Sequence, residues 1–178
     1  MIGNDIIDLE ASRKESNWQR DGWVQKIFAG DEQKYIYLSV EPELMVWLMW
    51  SMKEAAYKIR NRMTRQTFYA PQKFVCSNIL LEQSEASGKV TFGNIRMITN
   101  SSISKDYIHT TAIMEDNPRT INAYIGDTAK NKTPASGRPV LFKDKEGLPY
   151  LFEPLSGKIS AVSVSHHGRF EAIVFAEK

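Results

Sequence analysis

The sequence predicts an α+β fold in which helices pack on a mostly antiparallel sheet. Apolar residues recur at spacings of three and four up to Arg62, which is typical of amphipathic helices. After Arg62, alternating β-branched and aromatic residues dominate, which is typical of strands. Separate runs of helices and strands favour an α+β arrangement. Because 178 residues with 42% hydrophobic content can bury one core, we expect a single domain over residues 1–178.

The charge and cysteine content restrict the class of function. The 23 basic and 21 acidic residues leave a formal charge of +2, which is too balanced to indicate a nucleic-acid-binding protein. Cys76 is the single cysteine, which excludes an internal disulfide and fits a reducing compartment. The longest apolar run, residues 44–50, is too short to cross a bilayer, and the N-terminus lacks a signal-peptide pattern. We therefore expect a cytoplasmic protein without a nucleic-acid or membrane partner.

The first predicted strand, residues 2–7, carries an acidic residue in an apolar run. A buried carboxylate needs a partner, so Asp5 is either hydrogen-bonded at the end of the strand or binds a cation. Asp8 either caps the following helix or shares that cation.

Helical spacing then predicts three helices, which cover residues 16–28, 32–38 and 42–62. Gly22 weakens the first, Asp31 can cap the second, and Pro42 suits the first position of the third. The third helix has a continuous apolar stripe that is expected to face the core. The stripe consists of Leu44, Leu48, Met52, Ala55 and Ile59.

A second stripe on the third helix contains Trp50, Glu54 and Lys58. Because Glu54 and Lys58 are four residues apart, both side chains leave the same face of the helix. One interpretation is an exposed ion pair, worth about 0.3 to 0.5 kcal/mol. Trp50, one turn earlier, argues against full exposure, so a functional site on this face is the alternative.

The rest of the chain is expected to form strands, at residues 74–81, 89–98, 107–114, 121–125, 139–143, 149–152, 161–165 and 170–176. The expected turns are residues 84–88, 100–102, 144–147 and 166–169, and the expected polar loop is residues 128–138. His166 and His167 are adjacent and therefore a poor chelating pair, so the last turn is either an anion site or simply polar.

The residue types favour phosphate chemistry with a hard cation. No cysteine cluster or spaced histidine set indicates zinc, and no glycine-rich phosphate loop is present. Asp5 and Glu54 supply two carboxylates, with Lys58 beside them. Such oxygen ligands suit magnesium, which usually shares its coordination shell with substrate phosphates.

Five segments, in order, resemble motifs of the 4′-phosphopantetheinyl transferase superfamily. Residues 3–9 resemble its G-x-D-I-[VI]-[ED]-[IL] opening, and residues 50–58 resemble its [WF]-[ST]-x-K-E-A-x-x-K motif. Shorter matches are F-x-x-x-E at residues 28–32, G-K-P-x at residues 147–150, and V-S-[IL]-[ST]-H at residues 162–166. The motif order is closest to the short holo-acyl-carrier-protein synthase type.

The resemblance implies a phosphopantetheinyl transferase-like fold with a strand-rich insertion at about residues 88–137. It also implies transfer of the 4′-phosphopantetheine group from coenzyme A to a serine of an acyl carrier protein, with release of adenosine 3′,5′-bisphosphate. Short-type relatives are typically homotrimers with sites between subunits, so a homotrimer is expected in which His166 serves a neighbouring pocket.

The resemblance assigns the metal and the chemistry to particular residues. Asp5 and Glu54, with Asp8 directly or through water, would hold magnesium, with manganese as the alternative ion. Lys58 would stabilise phosphate oxygens or the leaving group. Either Glu54 or a metal-held water would accept the serine proton.

Substrate contacts are assigned to Lys53, Arg62, Ser165 and His166. Met49 stands where the short type usually has an arginine, so the coenzyme A phosphates must be held differently; arginines just after the helix could replace that contact. Because the carrier protein is acidic in such families, a basic docking surface is expected. The candidates are Arg13, Lys14 and Arg20, for which a solvated basic face is the alternative.

Two other functions remain open. A catalytically impaired homologue would bind coenzyme A or carrier protein without transfer, as Met49 and the insertion suggest. Another magnesium-dependent phosphoanhydride enzyme would explain the carboxylates but not the ordered motifs in the C-terminal part of the chain.

Overall fold

The structure, a computed structural model, describes residues 1–68, 70–127 and 140–176, so the predicted polar loop 128–138 lies outside the described residues. Within them the helices are α1 (Leu9–Glu15), α2 (Trp23–Ile27), α3 (Gly30–Leu38) and α4 (Pro42–Thr64). The strands are β1 (Ile2–Asp8), β2 (Val75–Leu81), β3 (Glu85–Phe92), β4 (Ile95–Ile103), β5 (Tyr107–Met114), β6 (Ile121–Asp127), β7 (Val140–Lys143), β8 (Pro149–Glu153), β9 (Lys158–His167) and β10 (Phe170–Ala176).

The strands form two five-stranded antiparallel sheets, in the orders β1-β5-β4-β3-β2 and β6-β10-β9-β8-β7. The α+β class is therefore confirmed, although the strands lie in two sheets. No helix in the described ranges is long and apolar enough to cross a membrane.

Helix α4 packs on the first sheet through the predicted apolar stripe. Leu48, Met52, Ala55 and Ile59 are buried, and Leu44 is partly buried. The contact with β1 is close because a Cβ atom at Gly3 would overlap the carbonyl oxygen of Ala55. The glycine of the first motif therefore allows the helix and the strand to touch.

Strand β1 is an edge strand of the first sheet, and side chains of β9 bind its free edge. The Asn4 amide donates to Ser163 Oγ at 3.1 Å, and the Asp8 amide donates to His167 Nδ1 at 2.9 Å. On the same strand, the Asn4 carbonyl accepts a hydrogen bond from Lys58. These contacts join the two sheets and place β1 between α4 and β9.

The predicted helix at residues 16–28 is wrong in its first half. Asp8 caps α1, which ends at Glu15, and a turn separates it from α2. Gly22 precedes α2 with a φ of 76°, a left-handed conformation that a continuous helix does not contain. Asp31 was also predicted as a cap, but Ala29 occupies the N-cap position of α3.

Three predicted turns are misplaced. Residues 84–88 and 100–102 lie mostly in β3 and β4, and the turn between these strands is at Gly93, where φ is 56°. His166 and His167 belong to β9, so the last hairpin turns at Gly168 and Arg169. Residues 88–137, predicted to be an insertion, include strands of both sheets; that they are inserted stays a prediction.

Candidate active site

A cleft of about 370 Å³ lies between β1, α4 and the end of β9. Asp5, Glu54, His166 and His167 supply polar groups to its wall, and tryptophans, among them Trp50, supply much of the rest. The structure therefore brings together the two predicted metal ligands, which are 49 positions apart in the sequence.

Asp5 lies in a largely buried position beside a cation. Its side chain is 15% exposed, and its Oδ1 atom is 3.5 Å from Lys58 Nζ. Burial raises the pKa of Asp5 to about 6, and the charge of Lys58 offsets part of this effect. The carboxyl group is thus poised to change its charge close to neutral pH.

The pKa of Glu54 is shifted in the same direction as that of Asp5. Burial raises its pKa to about 7, and the negative charge of Asp5 adds to the effect. A cation between two such carboxylates would favour their ionised forms, which fits magnesium. No group of three acidic, histidine or cysteine side chains within the described residues forms a metal cage, but magnesium usually needs only one or two carboxylates, with waters and phosphates completing its shell.

Lys58 and Arg62 follow Glu54 on the same side of α4, one turn apart. Lys58 Nζ donates to the Asn4 carbonyl at 2.6 Å, and the lysine side chain is 28% exposed. Arg62 Nη2 donates to the Val162 carbonyl of β9 at 2.6 Å, and burial lowers the pKa of Arg62. Each side chain has further N–H donors besides these bonds, as phosphate binding requires.

Lys53, predicted to bind substrate, lies in a buried environment. Its side chain is fully buried and forms an ion pair with buried Glu32 of α3 at 2.7 Å. Its ammonium also donates to the carbonyls of Pro71 and Phe74. Three acceptors therefore match its three donors, and none remains for a phosphate.

Glu32, from the F-x-x-x-E segment, completes this buried pair. Its carboxylate accepts hydrogen bonds from the backbone amides of Ala29 and Cys76, both at 2.7 Å. The lysine of one motif and the glutamate of another thus fix α3 and α4 to the start of β2.

Asp8 was predicted as a possible metal ligand, and the structure supports its other predicted role as a helix cap. Its Oδ1 accepts from the amides of Glu10 and Ala11, at 3.0 and 3.3 Å. Arg169 binds both carboxylate oxygens, and these hydrogen bonds hold the pKa of Asp8 well below its usual range. The lone pairs that a metal would need are therefore already used.

Ser165 was predicted to contact substrate but is buried, and its Oγ accepts from Asn4 Nδ2 at 2.9 Å. His166 is exposed and lines the cleft of its own chain together with Asp5 and Glu54. A homotrimer stays a prediction.

Sequence reasoning gave no partner to Asn4, His167 or Arg169, which join β1 to the C-terminal strands and their turn. Asn4 binds across to β9 and β10, where its Nδ2 also donates to the Ala172 carbonyl at 3.2 Å. His167 adjoins the predicted His166, but only the structure shows that its Nδ1 atom binds the Asp8 amide of β1. Nothing in the local pattern around Arg169 indicates its partner, which lies at the other end of the chain.

A second cavity, of about 500 Å³, also has Glu54 in its wall. Four of its nine lining residues are aromatic: Trp50, Tyr57, Phe68 and Phe74. Glu54 therefore lines both the cleft and this more apolar cavity.

The candidate docking residues are exposed near the cleft. Arg13 and Lys14 lie on α1, and Arg20 lies in the turn after it. Arg13 pairs with Glu43 at 3.1 Å, and Lys14 pairs with Glu10 at 2.6 Å. Exposed pairs of this kind are weak, so both cations can exchange partners.

A protein-family model described as the 4′-phosphopantetheinyl transferase superfamily matches residues 1–112. The matched part contains β1, all helices of the described residues and β2 to most of β5. It includes Asp5, Glu54 and Lys58, whereas β9 lies beyond it. No curated protein matches the chain significantly.

Proposed function

Because the chain belongs to the 4′-phosphopantetheinyl transferase superfamily, we propose that it transfers 4′-phosphopantetheine from coenzyme A to a serine of an acyl carrier protein. Adenosine 3′,5′-bisphosphate would be the second product, as in a holo-acyl-carrier-protein synthase. The observation that carries the proposal is the cleft in which Asp5 and Glu54, both with raised pKa values, lie beside Lys58.

Asp5 and Glu54 are the proposed ligands of magnesium, or of manganese in its place. When bound, the ion would neutralise charge on the diphosphate of coenzyme A. The mutual repulsion of the two carboxylates supports this assignment, because a cation relieves it. Asp8 is left out of the ligand set, since its oxygens are occupied.

Lys58 and Arg62 are proposed to hold phosphate oxygens on the α4 side of the cleft. In the reaction the serine oxygen forms a bond to the β-phosphorus of coenzyme A, and the bond from that phosphorus to the bridging oxygen breaks. Lys58 would stabilise the charge that develops on the leaving phosphate. This positioning of charge is the main contribution that a protein makes to phosphoryl transfer.

The serine proton is proposed to pass to Glu54 or to a water beside it. A carboxylate with a pKa of about 7 is a suitable general base near neutral pH, because a useful fraction is ionised and its basicity is raised. Metal binding to Glu54 would lower that basicity, which favours water as acceptor when the ion is present.

The aromatic cavity beside Glu54 is the proposed site of the pantetheine arm. The arm is the uncharged part of coenzyme A, and its thiol end is compatible with apolar walls such as Tyr57 and Phe68. The diphosphate would then lie near Glu54, between this cavity and the polar cleft.

The decisive experiment is incubation of the protein with coenzyme A, magnesium and an apo carrier protein, followed by intact mass spectrometry of the carrier. We expect the carrier mass to increase by one phosphopantetheine group. Glu54→Gln should abolish the increase, whereas Glu41→Gln, at an exposed position at the start of the same helix, should not. Transfer by Glu54→Gln at the normal rate would overturn the proposal.

The same reaction separates the other two functions. Binding of coenzyme A or carrier without product would indicate a catalytically impaired homologue. Phosphate release without any carrier would indicate another magnesium-dependent phosphoanhydride enzyme. Met49 gives little support to the impaired homologue, because this position is fully buried in the core and does not face the cleft.

A further inference from the structure

A bidentate ion pair joins the two ends of the chain next to the cleft. Arg169 Nε donates to Asp8 Oδ2 at 2.9 Å, and Arg169 Nη2 donates to Asp8 Oδ1 at 3.1 Å. The backbone amide of Arg169 also donates to Oδ2, at 3.0 Å. The Asp8 side chain is only 2% exposed, so this pair is shielded from water on one side.

The backbone before Arg169 is shaped to this carboxylate. Gly168 has a φ of 52°, and a Cβ atom there would lie 2.5 Å from Asp8 Oδ2 and 2.9 Å from the Cβ of Ala11. Any side chain at this position would therefore push the β9–β10 turn away from β1 and α1. Asp8 in turn caps α1, so one carboxylate fixes the turn, the helix and the end of the strand.

His167 extends the contact to the cleft. Its Nδ1 accepts the Asp8 amide, so the neutral imidazole carries its hydrogen on Nε2, which lies 3.2 Å from Glu15 Oε2. The ring thus bridges the end of β1 and the last residue of α1. His166 and His167 both line the cleft with Asp5 and Glu54.

The attraction on Arg169 comes from several acidic groups on neighbouring elements. Glu10 Oε2 lies 3.7 Å from Nη1, and Asp106 Oδ1 lies 3.9 Å from Nη2. Asp8 makes the direct hydrogen bonds and is the buried member of the set. Because Asp8 lies inside the family-matched residues and Arg169 lies outside them, this contact is one of those that join the C-terminal hairpin to the matched part.

We propose that the Asp8–Arg169 pair is a clasp that positions the wall formed by His166 and His167 at the correct distance from Asp5 and Glu54. Asp8 and Arg169 are positioning residues, because they act through the histidines and do not touch substrate. The kinetic consequence of the clasp rests on the proposed transferase function. Loosening the clasp should weaken binding of coenzyme A or carrier protein more than it slows the chemical step.

The test uses Arg169→Gln and Asp8→Asn, with Arg96→Gln as a matched control at an exposed position of the first sheet. Hydrogen exchange of peptides covering residues 163–172 should be at least about tenfold faster in both clasp variants, since tenfold is the factor expected for the loss of one charge-assisted hydrogen bond. The control should exchange as the wild type does. Circular dichroism should show that all variants remain folded.

The kinetic readout separates positioning from catalysis. In both clasp variants KM for coenzyme A or carrier should rise about 10- to 100-fold, with kcat changed less than KM. Arg169→Lys should fall between wild type and Arg169→Gln, since lysine retains the charge but not the fork. The double variant should have a KM no higher than that of the more impaired single variant, because both substitutions remove the same contact.

The outcomes for the clasp and for the proposed function are separate. Wild-type exchange in both clasp variants would overturn the clasp, whether or not transfer is found. Faster exchange with unchanged KM, or a loss confined to kcat, would overturn the positioning role. Absence of transfer by the wild-type protein would overturn the proposed function and leave the exchange comparison to decide the clasp.

Discussion

Glu54→Gln is expected to stabilise the metal-free protein at alkaline pH. The pKa of Glu54 is raised from 4.5 to about 7 by burial and by the charge of Asp5. A tenfold change in an ionisation constant corresponds to about 1.4 kcal/mol. Ionised Glu54 therefore destabilises the folded state by up to about 3 kcal/mol, which glutamine, having no charge, would not do.

The sign of the pH dependence follows from the raised pKa. Between pH 4.5 and about 7, the folded protein holds the Glu54 proton more often than the unfolded chain does. Stability therefore falls as pH rises through this range, and the loss is complete above it. Asp5, whose pKa is raised from 3.8 to about 6, adds a loss of the same sign at slightly lower pH.

Urea unfolding of wild type and variant at pH 5 and pH 8, with a chelator present, measures the effect. The variant should gain stability relative to wild type at pH 8 and gain little at pH 5. Magnesium added at pH 8 should stabilise wild type and have less effect on Glu54→Gln, because ligand binding to the folded state favours folding. A variant that is no more stable than wild type at pH 8 would refute the raised pKa of Glu54.

Three further outcomes are expected. Lys53→Met should lower the free energy of unfolding in urea by about 3 to 5 kcal/mol, because Glu32 is left as an unpaired buried charge. Adding Glu32→Gln should recover part of the loss. Lost transfer with unchanged stability would instead support Lys53 as a substrate contact. Gly3→Ala should lower the melting temperature sharply, since its Cβ would overlap the carbonyl of Ala55, whereas Gly30→Ala, with open space around it, should not. Reversing the charges of the three candidate docking residues should slow carrier association far more at low salt than at high salt, and a salt-independent effect would exclude docking there.

Helix α4 and its two stripes were predictable because helical periodicity is a local property. The predicted boundaries, residues 42–62, differ from the observed helix by two residues at its C-terminal end. The placement of Asp5 and Glu54 in one cleft was predicted from their chemical types together with the family resemblance. Their raised pKa values depend on burial, which a list of residues does not contain.

Lys53 and Asp8 show why the surroundings of a motif residue matter. Both are charged residues inside recognised motifs, which is why a functional role is predicted for each. Their partners decide otherwise: Glu32 lies 21 positions from Lys53, and Arg169 lies 161 positions from Asp8. A motif match identifies a side chain, but only the fold shows whether that side chain can contact substrate or is used in structural contacts.

The misplaced turns have a related cause. Residues 84–88 and 100–102 are polar and small, as turns usually are, but residues 85–87 pair with residues 100–102 across β3 and β4. Backbone hydrogen bonds between the strands offset the low strand propensity of Ser87 and Gly88. The turn at Gly93 lay within a stretch predicted as one strand.

The edge of β1 has a consequence for synthesis of the chain on the ribosome. Ser163 and His167, which satisfy the amides of this edge, emerge about 159 residues after the strand they protect. Until then β1 offers unpaired backbone groups to any other extended segment, which is a known route to aggregation. A fragment that stopped at residue 112, where the family match ends, would keep the carboxylates and the long helix but leave this edge open permanently. The last strands are therefore expected to decide whether the nascent protein stays in solution, quite apart from anything they contribute to the cleft.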